Sequence, residues 1–161
     1  MLGNEIVGTW RLISYAAQDD QGGPVLYPLG AEAVGLIIYT ADGYMSAQLM
    51  RADRSQAAAN DYLAYAGPYR VDEATGAVYH DVTVSLLPTW IGTTQLRHST
   101  LDDDRLTLIA EVPVGDVTIR ATLAWERATA HQAVASEHGV TTATHGSSPS
   151  GLSSGASSFS G

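Results

Sequence analysis

Cysteine is absent from the chain, and so is lysine, since all eight basic residues are arginines. The absence of cysteine excludes disulfide bonds, thiol nucleophiles and thiolate-bound metal centres. The absence of lysine excludes Schiff-base chemistry on a lysine amine. The chemistry open to this protein is therefore that of histidine, tyrosine, arginine, carboxylate and hydroxyl side chains.

Positive charge is scarce. Eight basic residues stand against seventeen acidic ones, which gives a formal net charge of -9 at pH 7. Such a chain repels phosphate backbones and anionic lipid headgroups. We therefore expect neither a nucleic-acid partner nor a membrane partner.

Long hydrophobic runs are missing as well. No apolar stretch approaches the roughly 20 residues that a membrane-spanning helix needs. The first residues, 1–5, show neither the basic region nor the apolar region of a signal peptide. A chain of 161 residues has room for one domain. These features predict a soluble, cytoplasmic protein.

Short alternating apolar runs separated by turn signals are what the chain does contain, and they predict an all-β fold. Eight strands are predicted near 6–17, 34–40, 44–50, 67–73, 77–87, 93–101, 105–112 and 117–126. Tight turns at 41–43, 73–76 and 102–104 alternate with longer connections at 18–33, 51–66, 88–92 and 113–116. This alternation predicts an up-and-down antiparallel barrel with one closed end and one open mouth. The Ala-rich stretch 55–65 predicts one short helix in a loop at that mouth.

The first and last predicted strands supply a test of barrel closure. Trp10 follows Gly8 at the start of the first strand, and Arg127 ends the last one. In a closed barrel these strands are neighbours, so the guanidinium of Arg127 is expected to lie over the indole of Trp10 at the closed end. The barrel is thus predicted to occupy residues 1–127.

Residues 128–161 differ in composition from the rest. They consist mainly of Ser, Gly, Ala and Thr and lack a periodic apolar face. Such a segment buries too little apolar surface to offset the entropy of ordering, so we expect a disordered tail. Three histidines in it, His131, His138 and His145, lie at wide and irregular spacing, which favours solvated coil over the alternative of a weak metal-binding tail.

Several short motifs resemble the lipocalin-like part of the calycin superfamily, and more closely the bacterial and fungal lipocalin-like domain proteins. The similarity covers roughly residues 3–127. It is carried by the pairing of Gly8-x-Trp10 with Arg127 and by the segments Gly8–Leu12, Tyr27–Gly30, Gly35–Thr40, Asp42–Ser46 and Pro88–Gly92.

This resemblance implies an eight-stranded barrel around a small-molecule cavity, in a group of proteins often associated with secondary metabolism. The chain also departs from the secreted lipocalins. It lacks their disulfides and signal peptide, and Asp102-Asp103-Asp104-Arg105 stands where they have a Thr-Asp-Tyr motif. An extracellular carrier role is therefore not implied.

Three residues are candidates for catalysis. His80 belongs to the apolar face of the fifth strand, where an inward imidazole would serve as general acid or base, or simply as a hydrogen-bonded core residue. Arg97, together with Gln95, forms a donor cluster near His80 if that face of its strand points inward; if not, His98 is the inner residue. Tyr69 is expected inside, as a core aromatic or as a hydroxyl donor.

Five residues are candidates for ligand binding: Tyr44, Gln48, Leu86, Trp90 and Gln95. Strand 44–50 has two possible inner faces, one with Tyr44 and Gln48 and one with Met45, Ala47 and Leu49. Leu86 shares the predicted inner face of His80. Trp90 lies at the mouth, where it would stack on a ligand or fix its own loop.

Three functions remain compatible with these features. We favour a cofactor-independent cyclase, isomerase or dehydratase that acts on a hydrophobic polyketide- or terpenoid-like molecule, because the predicted interior is polar for a passive container. The alternatives are a non-catalytic binding or carrier protein and a partner-binding module. No cofactor or metal is expected, and nothing in the sequence indicates an oligomer.

Overall fold

The structure is a computed structural model that describes residues 1–56 and 58–131. The described chain begins with a one-turn helix, α1 (Leu2–Glu5), and continues with strands. The strands are β1 (Gly8–Asp19), β2 (Val34–Tyr39), β3 (Tyr44–Met50), β4 (Tyr62–Asp72), β5 (Ala77–Asp81), β6 (Val84–Ser85), β7 (Thr94–Asp102), β8 (Arg105–Val114) and β9 (Val117–Arg127). Two 3-10 turns, Ala59–Asp61 and Pro88–Trp90, lie in the connections.

Eight of these strands close into an antiparallel barrel. Each long strand pairs with its neighbour in sequence, β3 pairs with β4, and β9 returns to pair with β1. The two-residue strand β6 adds only a short pairing to β4. The predicted all-β, eight-stranded up-and-down barrel is therefore confirmed, and its closure leaves no long free sheet edge among the described strands.

The closed end is built around Trp10, as predicted. Its side chain is fully buried and its indole N–H donates to the carbonyl of Ile6 at 2.8 Å. The guanidinium carbon of Arg127 lies 4.1 Å from the centre of the Trp10 ring. The same guanidinium donates to the carbonyls of Glu5 at 2.7 Å and Val7 at 3.1 Å. Arg127 therefore ties the end of the barrel to its beginning.

The first strand contains a β-bulge that changes which side chains face inward. Leu12 is opposite Trp125 and Ser14 is opposite Ala124, so Ile13 has no partner on β9. A residue inserted in this way shifts the alternation by one position. Tyr15, which simple alternation places on the face opposite Trp10, therefore packs on the core.

The predicted strand 77–87 is interrupted at its middle. β5 ends at Asp81, the chain crosses over Gly67, and Val84–Ser85 pairs separately with β4. A side chain at Gly67 would place its Cβ 1.9 Å from the carbonyl oxygen of Asp81, so only glycine permits this crossing. Val82 is still buried on the face of His80, but from Val84 onwards the predicted alternation no longer holds.

Two other expectations about connections are wrong. The stretch 55–65 is not a helix in its described part: it contains only the turn Ala59–Asp61, and β4 begins at Tyr62. The short α-helix is instead Leu2–Glu5, before the barrel. The segment 113–116 is not a long loop, because β8 and β9 continue to within two residues of each other.

The core fills the closed half of the barrel and leaves space towards the mouth. Trp10, Ile37, Tyr39, Leu106 and Leu108 are all almost completely buried. Residues 132–161, most of the predicted tail, lie outside the described residues, and so does Ala57. The disorder predicted for residues 128–161 therefore stays a prediction.

Candidate functional site

An interior cavity of about 110 Å³ lies on the mouth side of the core. Its wall is mostly apolar and is formed by side chains from most of the strands, including Ile37, Leu49, Leu63, Leu108 and Leu123. For comparison, an engineered protein cavity of about 150 Å³ binds benzene. The space here is smaller, so it suits at most one small ring or a short chain.

Polar groups are few on this wall. Tyr15, Tyr65, Gln95, Arg97 and the indole of Trp125 all line the cavity. A mainly apolar pocket with a few convergent polar groups is the usual form of a small-molecule site. By contrast, an apolar groove of about 490 Å³ on the outer face of β2 and β3 is open to solvent.

Arg97 is the charged group of this site. It lies on the inner face of β7, and only 9% of its surface is exposed. One of its terminal nitrogens donates to the carbonyl of Leu96 at 2.9 Å. The ion pairs found within residues 1–56 and 58–131 involve other arginines or the N-terminal amine, and none includes Arg97. Its charge is therefore buried without a carboxylate partner.

The groups around Arg97 do not neutralise it. Burial raises the pKa of Tyr15 and of Tyr65, although the charge of Arg97 opposes the rise in both. Burial also raises the pKa of Tyr39 well above the usual range of a phenol. The three phenols are thus protonated at neutral pH, and the interior carries a net positive charge.

His80 lies behind the cavity wall, between two tyrosines. Its side chain is fully buried and does not line the cavity. The Tyr39 hydroxyl lies 2.8 Å from Nε2, and the Tyr65 hydroxyl lies 3.0 Å from Nδ1. Burial, helped by the charge of Arg97, lowers the pKa of His80 to about 3, and Asp81 opposes the shift. The imidazole is therefore neutral at physiological pH.

Two directions are open to this chain of hydrogen bonds. A neutral imidazole donates from one nitrogen and accepts at the other. When Nε2 accepts, the Tyr39 hydroxyl donates to it and the Nδ1–H donates to the oxygen of Tyr65; when Nδ1 accepts, both bonds reverse. In either case one hydroxyl proton has no acceptor among the described residues: that of Tyr65, which lines the cavity, or that of Tyr39.

Trp125 provides a second donor without a partner. Its side chain is almost completely buried on β9 and borders the cavity. Its Nε1–H is buried and has no hydrogen-bond partner within the described part of the chain. A buried donor left unpaired costs about 1–3 kcal/mol. The site thus holds more hydrogen-bond donors than the protein itself satisfies.

Comparison with known proteins agrees with this architecture. A family model described as a lipocalin-like domain matches residues 7–128, which is most of the chain and the whole barrel. The chain belongs to the lipocalin-like domain family. A search of curated proteins found no match. No helix in the described part of this lipocalin-like protein is long and apolar enough to cross a membrane.

The lipocalin-like barrel brings together three of the predicted site residues. Arg97 and Gln95 share the inward face of β7, and His98 lies outside. Trp90 borders the cavity and packs edge-on against Tyr65, with ring centres 5.3 Å apart. Trp90 therefore both fixes its loop and contributes to the wall.

The other two catalytic candidates are inside the barrel but not at the cavity. His80 is enclosed as described above. Tyr69 packs edge-on against Tyr39, with ring centres 4.9 Å apart, and its hydroxyl donates to the carbonyl of Thr40 at the closed end. Neither side chain meets a molecule held in the cavity.

The remaining ligand-binding candidates lie outside the barrel, so the expectation that they face an interior ligand is wrong. Tyr44 is 56% exposed, and Gln48 accepts a hydrogen bond from the Tyr62 hydroxyl on the outer surface. The inner face of β3 carries Met45, Ala47 and Leu49 instead. Leu86 is 49% exposed because the interruption after Asp81 moved it off the face of His80.

Four site residues were not predicted from the sequence: Tyr15, Tyr39, Tyr65 and Trp125. Trp125 alternates with Arg127, so its inward position could have been read from the pattern of the last strand. Tyr15 was hidden by the β-bulge. Tyr65 was hidden because the Ala-rich composition before it indicated a helix in which it would share a face with Tyr62.

Proposed function

We propose that this lipocalin-like protein binds a small, mainly apolar molecule inside its barrel. The observation that carries the proposal is the interior cavity, bounded by strands on all sides and lined mostly by apolar side chains. Burial of apolar ligand surface there contributes roughly 25 cal/mol per Å². Its size limits the bound part of the ligand to one ring or a short chain, so a polyketide- or terpenoid-like molecule would extend towards the mouth.

The position of His80 favours binding over catalysis by that residue. A general acid or base must reach the proton that it transfers, directly or through one water. His80 is enclosed by two tyrosines, and its pKa of about 3 is far from neutral pH. The structure therefore supports a role for His80 in holding Tyr39 and Tyr65 in place.

A matched pair of variants on β9 tests interior binding. Ala121 lines the cavity and Ala124 belongs to the outward face of the same strand. Ala121→Leu is expected to fill the cavity, abolish binding of the neutral probe benzyl alcohol and raise the melting temperature. Ala124→Leu is the control and should bind as the wild type does. Isothermal titration calorimetry measures both, and undiminished binding by Ala121→Leu would contradict the proposal.

A cofactor-independent cyclase, isomerase or dehydratase is the second candidate, and one observation favours it. The Tyr65 hydroxyl reaches the cavity and is backed by His80 and Tyr39, so it is placed to donate a proton to a carbonyl or enolate oxygen. This version of the enzyme hypothesis moves the catalytic role from His80 to Tyr65. Association with secondary metabolism and a cytoplasmic location stay predictions from the sequence.

A small β,γ-unsaturated cyclic ketone tests the enzymatic alternative. Its conversion to the conjugated isomer is followed by ultraviolet absorbance, with Tyr65→Phe as the variant. Tyr62→Phe, whose hydroxyl contacts Gln48 on the outside, is the control. Acceleration by the wild type and by Tyr62→Phe but not by Tyr65→Phe would support catalysis, whereas a rate equal to that of buffer would count against it.

A further inference from the structure

The geometry points to an anionic ligand: we propose that the cavity holds a small carboxylate, or an equally compact oxyanion, against the guanidinium of Arg97. This inference rests on the proposed function, because it names the chemical class of the molecule bound in the same cavity. Nothing in the family match specifies such a ligand.

The first argument is the charge of Arg97. A buried charge is strongly unfavourable unless an opposite charge or a full set of hydrogen bonds compensates it. Arg97 donates to the carbonyl of Leu96 and lies within hydrogen-bonding reach of the Tyr65 hydroxyl, but among the described residues it has no carboxylate within ion-pair distance. Its planar guanidinium keeps further N–H donors that match the two oxygens of a carboxylate.

The second argument is the surplus of donors around the cavity. One hydroxyl proton of the Tyr39–His80–Tyr65 chain has no acceptor among the described residues, and the indole N–H of Trp125 is unpaired. Gln95 lines the same wall, and its amide nitrogen donates one hydrogen bond to the Thr93 hydroxyl and has a second N–H. No carboxylate side chain lines this cavity in the described part of the chain. A ligand that carries a negative charge and accepts several hydrogen bonds would pair with these donors and compensate the charge of Arg97.

The third argument concerns what the rest of the protein does to anions. The chain carries a formal net charge of -9, so its exterior repels small anions. Asp81, the carboxylate next to His80 in sequence, pairs with Arg70 and Thr94 on the outside and does not compensate Arg97. If the protein binds an anion more tightly than a neutral molecule, the cause is therefore the positive charge of Arg97 in the interior and not attraction to the protein surface.

Three probes of nearly equal size separate charge from shape: benzoate, benzyl alcohol and benzylamine. Each carries one ring and one short polar group, so the three differ mainly in charge. At neutral pH the first is an anion, the second is neutral and the third is a cation. We expect the wild type to bind benzoate at least about tenfold more tightly than benzyl alcohol and to reject benzylamine.

Arg97→Met removes the charge and keeps an unbranched chain of similar length. It should lose the preference for benzoate, with its affinity reduced by about tenfold or more, and should bind benzyl alcohol at least as well as the wild type. Arg97→Lys should keep part of the preference for benzoate. Arg105→Met is the control, since Arg105 pairs with Glu126 on the exterior and should leave all three affinities unchanged.

Arg97→Met should also fold, because replacing an uncompensated buried charge with an apolar side chain is neutral or stabilising. A higher melting temperature than that of the wild type is expected without ligand. An unfolded Arg97→Met protein would overturn the proposal, because it would show that Arg97 is needed by the fold itself.

The outcomes separate this inference from the proposed function. Binding of benzyl alcohol equal to or tighter than that of benzoate would overturn the anionic ligand and leave interior binding intact. Absence of binding for all three probes would contradict the proposed function itself. A preference for benzoate that persists in Arg97→Met would place the anion elsewhere and overturn the assignment to Arg97.

Discussion

His80 should make the stability of the barrel depend on pH between about 6.5 and 3. Its pKa is 6.5 as a reference and about 3 in the folded protein, because burial and the nearby Arg97 disfavour the charged imidazole. Between these two values the unfolded chain binds a proton that the folded protein does not. The free energy of unfolding is therefore fully retained above the reference pKa and falls as the pH drops below it.

The size of the effect follows from the same two values. Each pH unit between them removes about 1.36 kcal/mol from the free energy of unfolding. Acidification from neutral pH to about pH 4.5 should therefore cost about 2–3 kcal/mol. This is a large share of the 5–15 kcal/mol that is typical of a folded domain.

Urea unfolding measured at several pH values, for the wild type and for His80→Gln, provides the assay. A glutamine amide can both donate and accept between Tyr39 and Tyr65, but it does not titrate. His98→Gln, at an exposed position on the same sheet, is the control. The stability of the wild type and of His98→Gln should fall between about pH 6.5 and pH 4.5, and that of His80→Gln should stay nearly level.

The reasoning would be refuted if the free energy of unfolding fell equally steeply with decreasing pH in the wild type and in His80→Gln. An independent check uses the ring proton resonances of His80 in the intact wild type. These should not titrate between about pH 7 and pH 4.5 as long as the protein remains folded. A midpoint near neutral pH would show that the imidazole is accessible to water and would restore His80 as a candidate acid or base.

Other parts of the barrel give further predictions. Arg127→Ala should lower the free energy of unfolding by about 2–3 kcal/mol, because it removes the ring contact and two hydrogen bonds that close the barrel, whereas Arg105→Ala should cost less than about 1 kcal/mol in chemical denaturation. Gly67→Ala should destabilise by more than about 2 kcal/mol through the clash with the Asp81 carbonyl, and Gly3→Ala, next to a flexible side chain, should not; melting temperatures compare the two. Tyr39→Phe should cost about 1–3 kcal/mol because it leaves a nitrogen of the buried imidazole unpaired, again measured by denaturation.

The architecture was predictable because alternation, turn signals and the pairing of the two chain ends agree with one another. Trp10 and Arg127 are far apart in sequence, yet a closed barrel puts them side by side, and the structure does so. A sequence specifies one fold most clearly when several independent local signals favour the same structure.

The site was less predictable, because it depends on two places where the alternation breaks. The bulge at Ile13 turns Tyr15 inward, and the crossing over Gly67 turns Leu86 outward. Each break shifts the inner face by one residue, which periodicity alone does not reveal. The face of β3 was ambiguous for a different reason, since both of its faces carry apolar residues.

The Ala-rich stretch before β4 shows a third limit. Its composition favours a helix, but the backbone of β4 is needed to pair with β3 from Tyr62 onwards. Closure of the barrel therefore overrides local preference, as tertiary pairing commonly does. Tyr65 consequently lies on an inward strand position beside His80.

Interior binding is tested most directly by the indole N–H resonances of the three tryptophans. Trp125 and Trp90 border the cavity, whereas Trp10 is at the closed end with its N–H bonded to Ile6. Titration with benzoate or benzyl alcohol should shift the Trp125 resonance to a saturating value and leave that of Trp10 in place. An unchanged Trp125 resonance at concentrations where calorimetry detects binding would contradict the account, because the ligand would then lie outside the barrel.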